Sequence, residues 1–210
     1  MKKLLLTSAI ILAAGAAQAS IAPYASIKAG FATGGFNQYY NEPSYVEGYG
    51  GFTGFTGAIA GGAAFAVDDL VTVRGELEYA YSKIAGNPNL NGWEVSLTGN
   101  TIMLNVYADF GATSWSVRPY VGLGAGFGFG NKLKEAWYGS TTWTEDMDGG
   151  FAYAGMIGAA YYINSNFALD LGFKYAVVNA DFKSSGGWYY GEDGTNIINR
   201  TVTLGARYTF

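Results

Sequence analysis

The feature that most constrains this chain is a two-residue alternation of apolar and polar side chains, repeated in eight separate segments. Successive side chains of a β-strand point to opposite faces, so this period indicates strands. In the clearest segment Val71, Val73 and Leu77 share one face, while Arg74 and Glu76 share the other. The eight segments span residues 23–31, 53–67, 71–81, 101–110, 117–129, 151–163, 167–175 and 201–210. We therefore predict an all-β fold.

The connections between these segments alternate in length. Short links fall at residues 68–69, 112–116 and 164–166, whereas long polar links span 34–52, 82–94, 130–149 and 184–199. In an antiparallel meander, the short turns then share one rim and the long loops share the other. This asymmetry, with an even strand count, is typical of outer-membrane barrels. We predict an eight-stranded antiparallel up-and-down transmembrane β-barrel with short periplasmic turns and four long extracellular loops.

The charged side chains inside the strands all lie on the face opposite the large apolar residues. Alternate glycines from Gly122 to Gly128 share this charged face, which suits the crowded interior of a small barrel. We predict that the apolar face meets lipid and that the charges form an ion-pair network in the lumen. Its nine members are Lys28, Arg74, Glu76, Glu78, Asp109, Arg118, Asp170, Lys174 and Arg207.

An eight-stranded barrel leaves an interior just wide enough for side chains to fill. The basic and acidic members of the network are nearly balanced in number, so we expect them to pair and to plug the lumen. If residues 111–116 link two strands, Asp109 and Arg118 should face each other and form a cross-strand ion pair.

The N-terminus has the three parts of a secretory signal peptide. Lys2 and Lys3 precede an apolar run over residues 4–14, and Ala17-Gln18-Ala19 is a small-residue cleavage site. We predict a cleaved signal peptide over residues 1–19 and one barrel domain over 20–210. Loss of both lysines makes a chain of formal net charge −4 still more acidic, which argues against nucleic-acid binding.

The chain contains no Cys and no His, which excludes disulfides and thiol- or imidazole-based catalysis. We predict no cofactor and no metal site. Glu76 and Glu78 lie about 7 Å apart along one strand, a spacing that could serve glycoside hydrolysis. A structural role in neutralising lumen cations is favoured, so we predict that the protein is not an enzyme. A carboxylate-only, lipid-modifying enzyme and a narrow porin-like solute channel are the alternatives.

The long loops are rich in aromatic residues among Gly, Asn and Ser. The candidates are Tyr39, Tyr40, Tyr45, Tyr49, Trp93, Trp137, Tyr138, Trp143, Trp188, Tyr189 and Tyr190. Rigid amphipathic rings among small polar residues are typical of surfaces that recognise proteins or glycans. We expect an adhesin-like recognition role or an envelope-integrity role. The competing interpretation is that these rings extend the outer aromatic girdle.

Residues 104–110, 118–126 and 169–175 resemble the eight-stranded barrels of Gram-negative bacteria, in the OmpA-like and opacity-type surface protein group. The C-terminal residues Thr203, Gly205, Tyr208 and Phe210 are similar to the signal by which the barrel-assembly machinery recognises its substrates. The resemblance implies an outer-membrane surface antigen of the porin family. It also implies membrane lipid, lipopolysaccharide and the assembly machinery as partners, and leaves open a host or cell-surface ligand.

Overall fold

A computed structural model describes residues 21–39, 46–86, 93–137, 140–180 and 195–210. Within these residues the chain forms nine strands, and all of their pairings are antiparallel. The strands are β1 Ala22–Tyr39, β2 Val46–Ala66, β3 Val71–Gly86, β4 Trp93–Phe110, β5 Val117–Trp137, β6 Ser140–Met147, β7 Gly150–Tyr162, β8 Phe167–Ala180 and β9 Thr195–Thr209. No described helix is long and apolar enough to cross a membrane.

The sheet closes on itself. Its strands follow the order β4, β3, β2, β1, β9, β8, β7 and β5, and β4 also pairs with β5. Strands β6 and β7 pair with successive stretches of β5, since Met147 lies opposite Asn131 and Gly150 lies opposite Gly128. Together β6 and β7 form one barrel strand interrupted at residues 148–149. The predicted all-β, eight-stranded antiparallel barrel is therefore confirmed.

The pairing register shows how narrow the barrel is. Stepping from each residue to its paired neighbour once around the barrel leads from Ser26 to Phe36, ten residues further along β1. A closed sheet with such a stagger has strands tilted by about 35–45°, and eight strands leave room only for side chains. Inward side chains from opposite strands can therefore meet across the axis.

The two rims differ, as the connections predicted. The turns at residues 67–70, 111–116 and 163–166 lie on one rim, here called the turn rim, and the opposite end is the loop rim. On the loop-rim side the strands run well beyond their predicted ends. The predicted loop over 130–149 is mostly hairpin, because β5 extends to Trp137 and β6 begins at Ser140.

Two glycines with positive φ explain why strand continuation was missed. Gly51 (φ 89°) and Gly130 (φ 60°) lie beside register shifts in the β1–β2 and β4–β5 pairs. Each fits a β-bulge, in which one strand carries an extra residue and glycine takes the left-handed conformation. Phe129 precedes the second bulge, and beyond it Lys132 faces outward while Leu133 is buried. The bulge thus exchanges the inward and outward positions of β5, so the alternation seen before Gly130 does not continue in phase after it.

The assignment of the two faces agrees with the structure. Large apolar side chains such as Phe31 and Leu123 point outward and are about three-quarters exposed, at 79% and 74%. The alternate glycines of β5 point into a crowded lumen. A Cβ on Gly122 would lie 2.5 Å from the ring of Tyr107, and one on Gly128 would overlap the side chain of Val178.

We predict that Gly130→Ala lowers the free energy of unfolding by about 1–2 kcal/mol, because a side chain at positive φ clashes with its own backbone. The measurement is urea unfolding of the protein folded into lipid vesicles. Gly155→Ala is the matched control, since Gly155 lacks the positive φ and a Cβ there meets nothing within 4 Å. Equal effects of the two substitutions would contradict the bulge assignment.

Candidate functional site

The inward side chains of β3 divide the lumen into layers along the barrel axis. Successive inward positions on one strand lie about 7 Å apart. From the turn rim to the loop rim these positions hold Thr72, Arg74, Glu76, Glu78, Ala80, Ser82 and Ile84. The lumen is therefore polar near the turn rim, charged in its middle and apolar near the loop rim.

The first charged cluster, here called the loop-side quartet, consists of Lys28, Glu76, Glu78 and Lys174. The Lys28 ammonium lies 2.7 Å from Glu76 Oε1 and 2.6 Å from Glu78 Oε2. Lys174 forms a close ion pair with the other oxygen of Glu78. Both carboxylate side chains are 1% exposed. Each lysine comes from a different strand, so Glu78 joins β1, β3 and β8 across the lumen.

The second cluster, here called the turn-side quartet, consists of Arg74, Asp109, Asp170 and Arg207. Arg74 donates two hydrogen bonds to Asp109, at 2.7 and 2.8 Å, in the bidentate geometry that suits a guanidinium. Arg207 lies 3.4 Å from Asp170 Oδ1 and 3.9 Å from Asp109 Oδ2. Each quartet holds two acids and two bases, so their formal charges cancel.

Tyrosines fill the space around both quartets. The hydroxyls of Tyr24 and Tyr107 each donate to Glu76 over 3.2 Å. The Arg74 guanidinium lies 4.5 Å from the ring centre of Tyr107 and 5.2 Å from that of Tyr120. The sequence did contain a signal for two of these rings, because Tyr107 and Tyr120 share the alternation of Asp109 and Arg118 respectively. Because they carry no charge, a pattern of charged residues alone does not identify them.

The ninth predicted charge, Arg118, lies apart from both quartets. Its guanidinium donates to the carbonyl of Thr113 over 2.7 Å and lies 4.0 Å from the ring centre of Tyr162. The expected pairing of Asp109 opposite Arg118 was wrong, because Asp109 lies opposite Tyr120. Val117 and Arg118, the first residues of β5, pair only with β7, so the β4–β5 register is offset by two residues from the expected one.

A chamber of about 80 Å³ lies on the loop-rim side of the loop-side quartet. Lys28, Glu78 and Lys174 line one end of it. Its polar wall includes Asn199, whose amide donates to Ser82 Oγ over 2.9 Å. Thr203, one of the four predicted assembly-signal residues, also lines this chamber.

Apolar side chains fill the lumen beyond the chamber, and we call them the roof. They come from six strands and are each no more than 7% exposed. The roof consists of Phe52, Ile84, Leu97, Leu133, Met147 and Ile197. Leu133 belongs to it only because the Gly130 bulge reverses the alternation of β5.

The other predicted site residues are placed as follows. Gly205 faces the lumen, where an added Cβ would lie 3.0 Å from Lys28 Cγ, while Tyr208 and Phe210 are exposed at the turn rim with ring centres 5.4 Å apart.

Five loop candidates lie on strand backbones, but their side chains are outside the described part. They are Tyr39, Tyr49, Trp93, Trp137 and Trp143. The remaining candidates lie outside the described residues, as does the predicted signal peptide. These are Tyr40, Tyr45, Tyr138, Trp188, Tyr189 and Tyr190.

The chemistry available in the lumen is that of paired charges. Among the described ranges, no three acidic, His or Cys side chains are grouped so as to hold a metal ion. Both oxygens of Glu78 contact a lysine, and Glu76 accepts from a lysine and two tyrosines. This arrangement holds strands together across the barrel.

Comparison with known proteins agrees with this architecture. The chain is 29% identical over 188 residues to an outer membrane protein of Gluconacetobacter diazotrophicus, an alignment that covers 76% of this chain. The match spans 47% of that relative, so the chain covers about half of its length.

Solved structures with a similar fold have low sequence identity. The crystal structure of Neisserial surface protein A matches with a TM-score of 0.58 and 18% identity, covering 91% of this chain and 99% of that one. OprG from Pseudomonas aeruginosa matches with a TM-score of 0.47 and 16% identity over 90% and 96% of the two chains. Residues 4–210 match the model of the outer membrane protein beta-barrel domain. The chain therefore belongs to the outer membrane protein beta-barrel family, and it is a protein of the outer membrane.

Proposed function

We propose that the protein is a non-conducting barrel whose lumen is plugged and which acts at the cell surface, in envelope integrity or in recognition through its loop rim. The single observation that carries the proposal is the layered lumen, in which two neutral charge quartets are followed by an apolar roof. The molecule is on this view a structural and interaction protein rather than an enzyme.

The electrostatics of the quartets support the plug. Transferring an ion from water to a buried site costs several kcal/mol, and that cost is offset only when partners and hydrogen bonds compensate it. Here each of Lys28, Arg74 and Glu78 has at least two charge-assisted contacts to the opposite charge. A permeating ion has no surplus charge to bind, and it must break several such contacts to pass.

The roof supports the plug independently. Its side chains are buried in one apolar cluster on the loop-rim side of the chamber, and a hydrated ion loses its water in such a constriction. The chamber itself, with polar walls and two lysines at one end, favours the second candidate function, a narrow solute channel. Conduction would require the roof and both quartets to move.

The contacts of Glu76 and Glu78 support a non-catalytic role. Catalytic carboxylates need access to substrate, whereas these two side chains are 1% exposed and held by lysines inside the lumen. Lipid on the outer face is separated from them by the barrel wall.

Strand length supports presentation of the loops away from the membrane. A tilted strand needs about 9–11 residues to cross the apolar core, yet β2 and β5 each contain 21. The excess lies on the loop-rim side, which we assign to the cell exterior. Export by the 1–19 signal peptide and recognition of Tyr208 and Phe210 by the assembly machinery belong to the same proposal.

We predict that the purified protein in planar bilayers gives no steady unitary conductance. Replacing Lys28, Glu76, Glu78 and Lys174 together by Ala should not by itself give conductance, because the turn-side quartet and the roof still block the lumen, and heat-modifiable gel migration shows whether the variant is folded. Steady, reproducible conductance of the unmodified protein would contradict the plugged lumen.

We predict that Glu78→Gln lowers the free energy of unfolding by about 3–5 kcal/mol, because the buried carboxylate is the counter-charge that the partly buried Lys28 and Lys174 share. The control is Asp146→Asn, which breaks the 3.2 Å pair with Lys132, where both side chains are more than half exposed. That change should cost less than about 1 kcal/mol. An unchanged free energy of unfolding for Glu78→Gln in urea would contradict a structural role of the loop-side quartet.

We predict that replacing Trp188, Tyr189 and Tyr190 by Ser reduces binding of bacteria displaying the protein to host cells by at least about tenfold, since aromatic anchors dominate many interfaces. Trp115→Ser is the matched control, because this exposed aromatic lies on the turn rim. Unchanged adhesion at equal surface expression would leave the envelope role as the remaining function.

A further inference from the structure

A pocket of about 480 Å³, here called the vestibule, opens at the turn rim of the barrel. Its wall is formed by the turns at residues 111–116 and 163–166 and by the turn-rim ends of β1, β2, β3 and β9. Tyr162 lines the vestibule and connects it with the turn-side quartet, because its hydroxyl accepts a hydrogen bond from Arg207 over 3.2 Å. The vestibule therefore lies between the aqueous side of the turn rim and the charged middle of the lumen.

Arg118 is the one charged residue among the described residues that line the vestibule. It is 8% exposed. The buried acids at this end of the lumen already have partners, since Asp109 binds Arg74 and Asp170 lies 3.4 Å from Arg207. Within the described ranges no carboxylate forms an ion pair with Arg118. The neutral turn-side quartet thus leaves the charge of Arg118 uncompensated.

The acidic residues on the turn rim itself do not compensate this charge. Asp68 and Asp69 are exposed on the turn at residues 67–70, and neither lines the vestibule. Asp68 Oδ1 accepts hydrogen bonds from the backbone amides of Leu70 and Val71, each over 2.7 Å. A buried charge without an opposite charge is costly, so the vestibule favours an anionic occupant.

The guanidinium of Arg118 uses one edge for the protein and leaves its tip available. Its Nε donates to the carbonyl of Trp115 over 3.4 Å, and its Nη2 donates to that of Thr113 over 2.7 Å. These bonds hold the 111–116 turn. Nη1 and the second proton of Nη2 have no partner in the described part of the chain. Together they form the planar fork that binds both oxygens of a carboxylate.

The rest of the wall suits the body of a small organic acid. Trp115 is more than half exposed and offers a ring to the vestibule. Hydroxyl groups come from Thr113, Ser114, Ser116, Ser165 and Thr209. Small-molecule pockets commonly combine apolar or aromatic walls with a few fixed polar groups, in volumes of about 300–1,000 Å³. One guanidinium matches the single charge of a carboxylate, whereas a phosphate monoester carries a charge near −2.

We propose that the vestibule is a binding site for small organic acids. The tip of the Arg118 guanidinium donates two charge-assisted hydrogen bonds to the carboxylate, and the body of the acid packs against Trp115. The site goes beyond the surface role proposed above, because it lies on the opposite rim. In the proposed orientation this rim faces the periplasm, so the ligands are periplasmic carboxylates.

The test is an NMR titration of the folded protein in detergent micelles, followed through the indole N–H signal of Trp115, which Trp115→Phe identifies. Benzoate is the probe, benzamide is its neutral isostere, and phenyl phosphate carries a similar ring on a dianion. Benzoate should shift the signal saturably, benzamide should bind at least about tenfold more weakly, and phenyl phosphate should bind no more tightly than benzoate.

Arg118→Lys keeps the positive charge but removes the fork, so it should weaken benzoate binding by about tenfold or more. Arg200→Lys is the matched control. Arg200 also lies beside a tyrosine, with its guanidinium 5.5 Å from the ring centre of Tyr175, but it is exposed on the outer face of β9. This control should bind benzoate as the unmodified protein does.

Five outcomes would each overturn the site: no saturable shift with benzoate, equal affinity for benzoate and benzamide, tighter binding of phenyl phosphate, unchanged benzoate binding by folded Arg118→Lys, or an equal loss with Arg200→Lys. Heat-modifiable migration shows whether each variant is folded. The comparison of the three probes uses the unmodified protein, so it decides even if Arg118→Lys does not fold. Conductance and adhesion test the lumen and the loop rim, so the two proposals fail separately.

Discussion

The constraint on which this structure depends is the absence of water within the bilayer. An unpaired backbone amide in hydrocarbon costs several kcal/mol, so a membrane-spanning sheet must have no free edge. The β4–β5 pairing meets this demand by joining the last two edges. With eight strands and a stagger of ten residues, closure produces an interior that only side chains can occupy. The inward glycines of β5 and the tight contacts in the lumen are consequences of that narrowness.

Narrowness also determines how the lumen charges are accommodated. In a wide pore each charge could remain hydrated, but here Glu76 and Glu78 are almost fully excluded from solvent. The barrel compensates them with lysines from other strands and with tyrosine hydroxyls. Because the charges of both quartets cancel, the centre of the protein is polar without being an electrostatic trap for either cations or anions.

The sequence predicts which face each strand residue occupies, because the alternation of β-strands is a local property. Arg74, Asp109 and Lys174 could therefore be assigned to the lumen correctly. Their partners could not, since contacts across the axis depend on the stagger of the closed sheet. The expected pairing of Asp109 opposite Arg118 failed for a local reason, since the register of the β4–β5 hairpin places Asp109 opposite Tyr120. Similarly, the bulge at Gly130, where φ is positive, interrupts the alternation, so the sequence pattern does not predict that β5 continues to Trp137.

The wide sequence separation of the quartet members has a consequence for biogenesis. Glu78 and Lys174 are 96 residues apart and lie on strands that are not neighbours. A hairpin of β3 and β4 inserted alone can neutralise Arg74 with Asp109, but it carries Glu76 and Glu78 without their lysines, which lie on β1 and β8. Their compensation arrives only when these strands enclose a common space. Assembly of this barrel is consequently cooperative: partial intermediates are penalised, and the charge network that is stable in the finished protein opposes stepwise, strand-by-strand insertion.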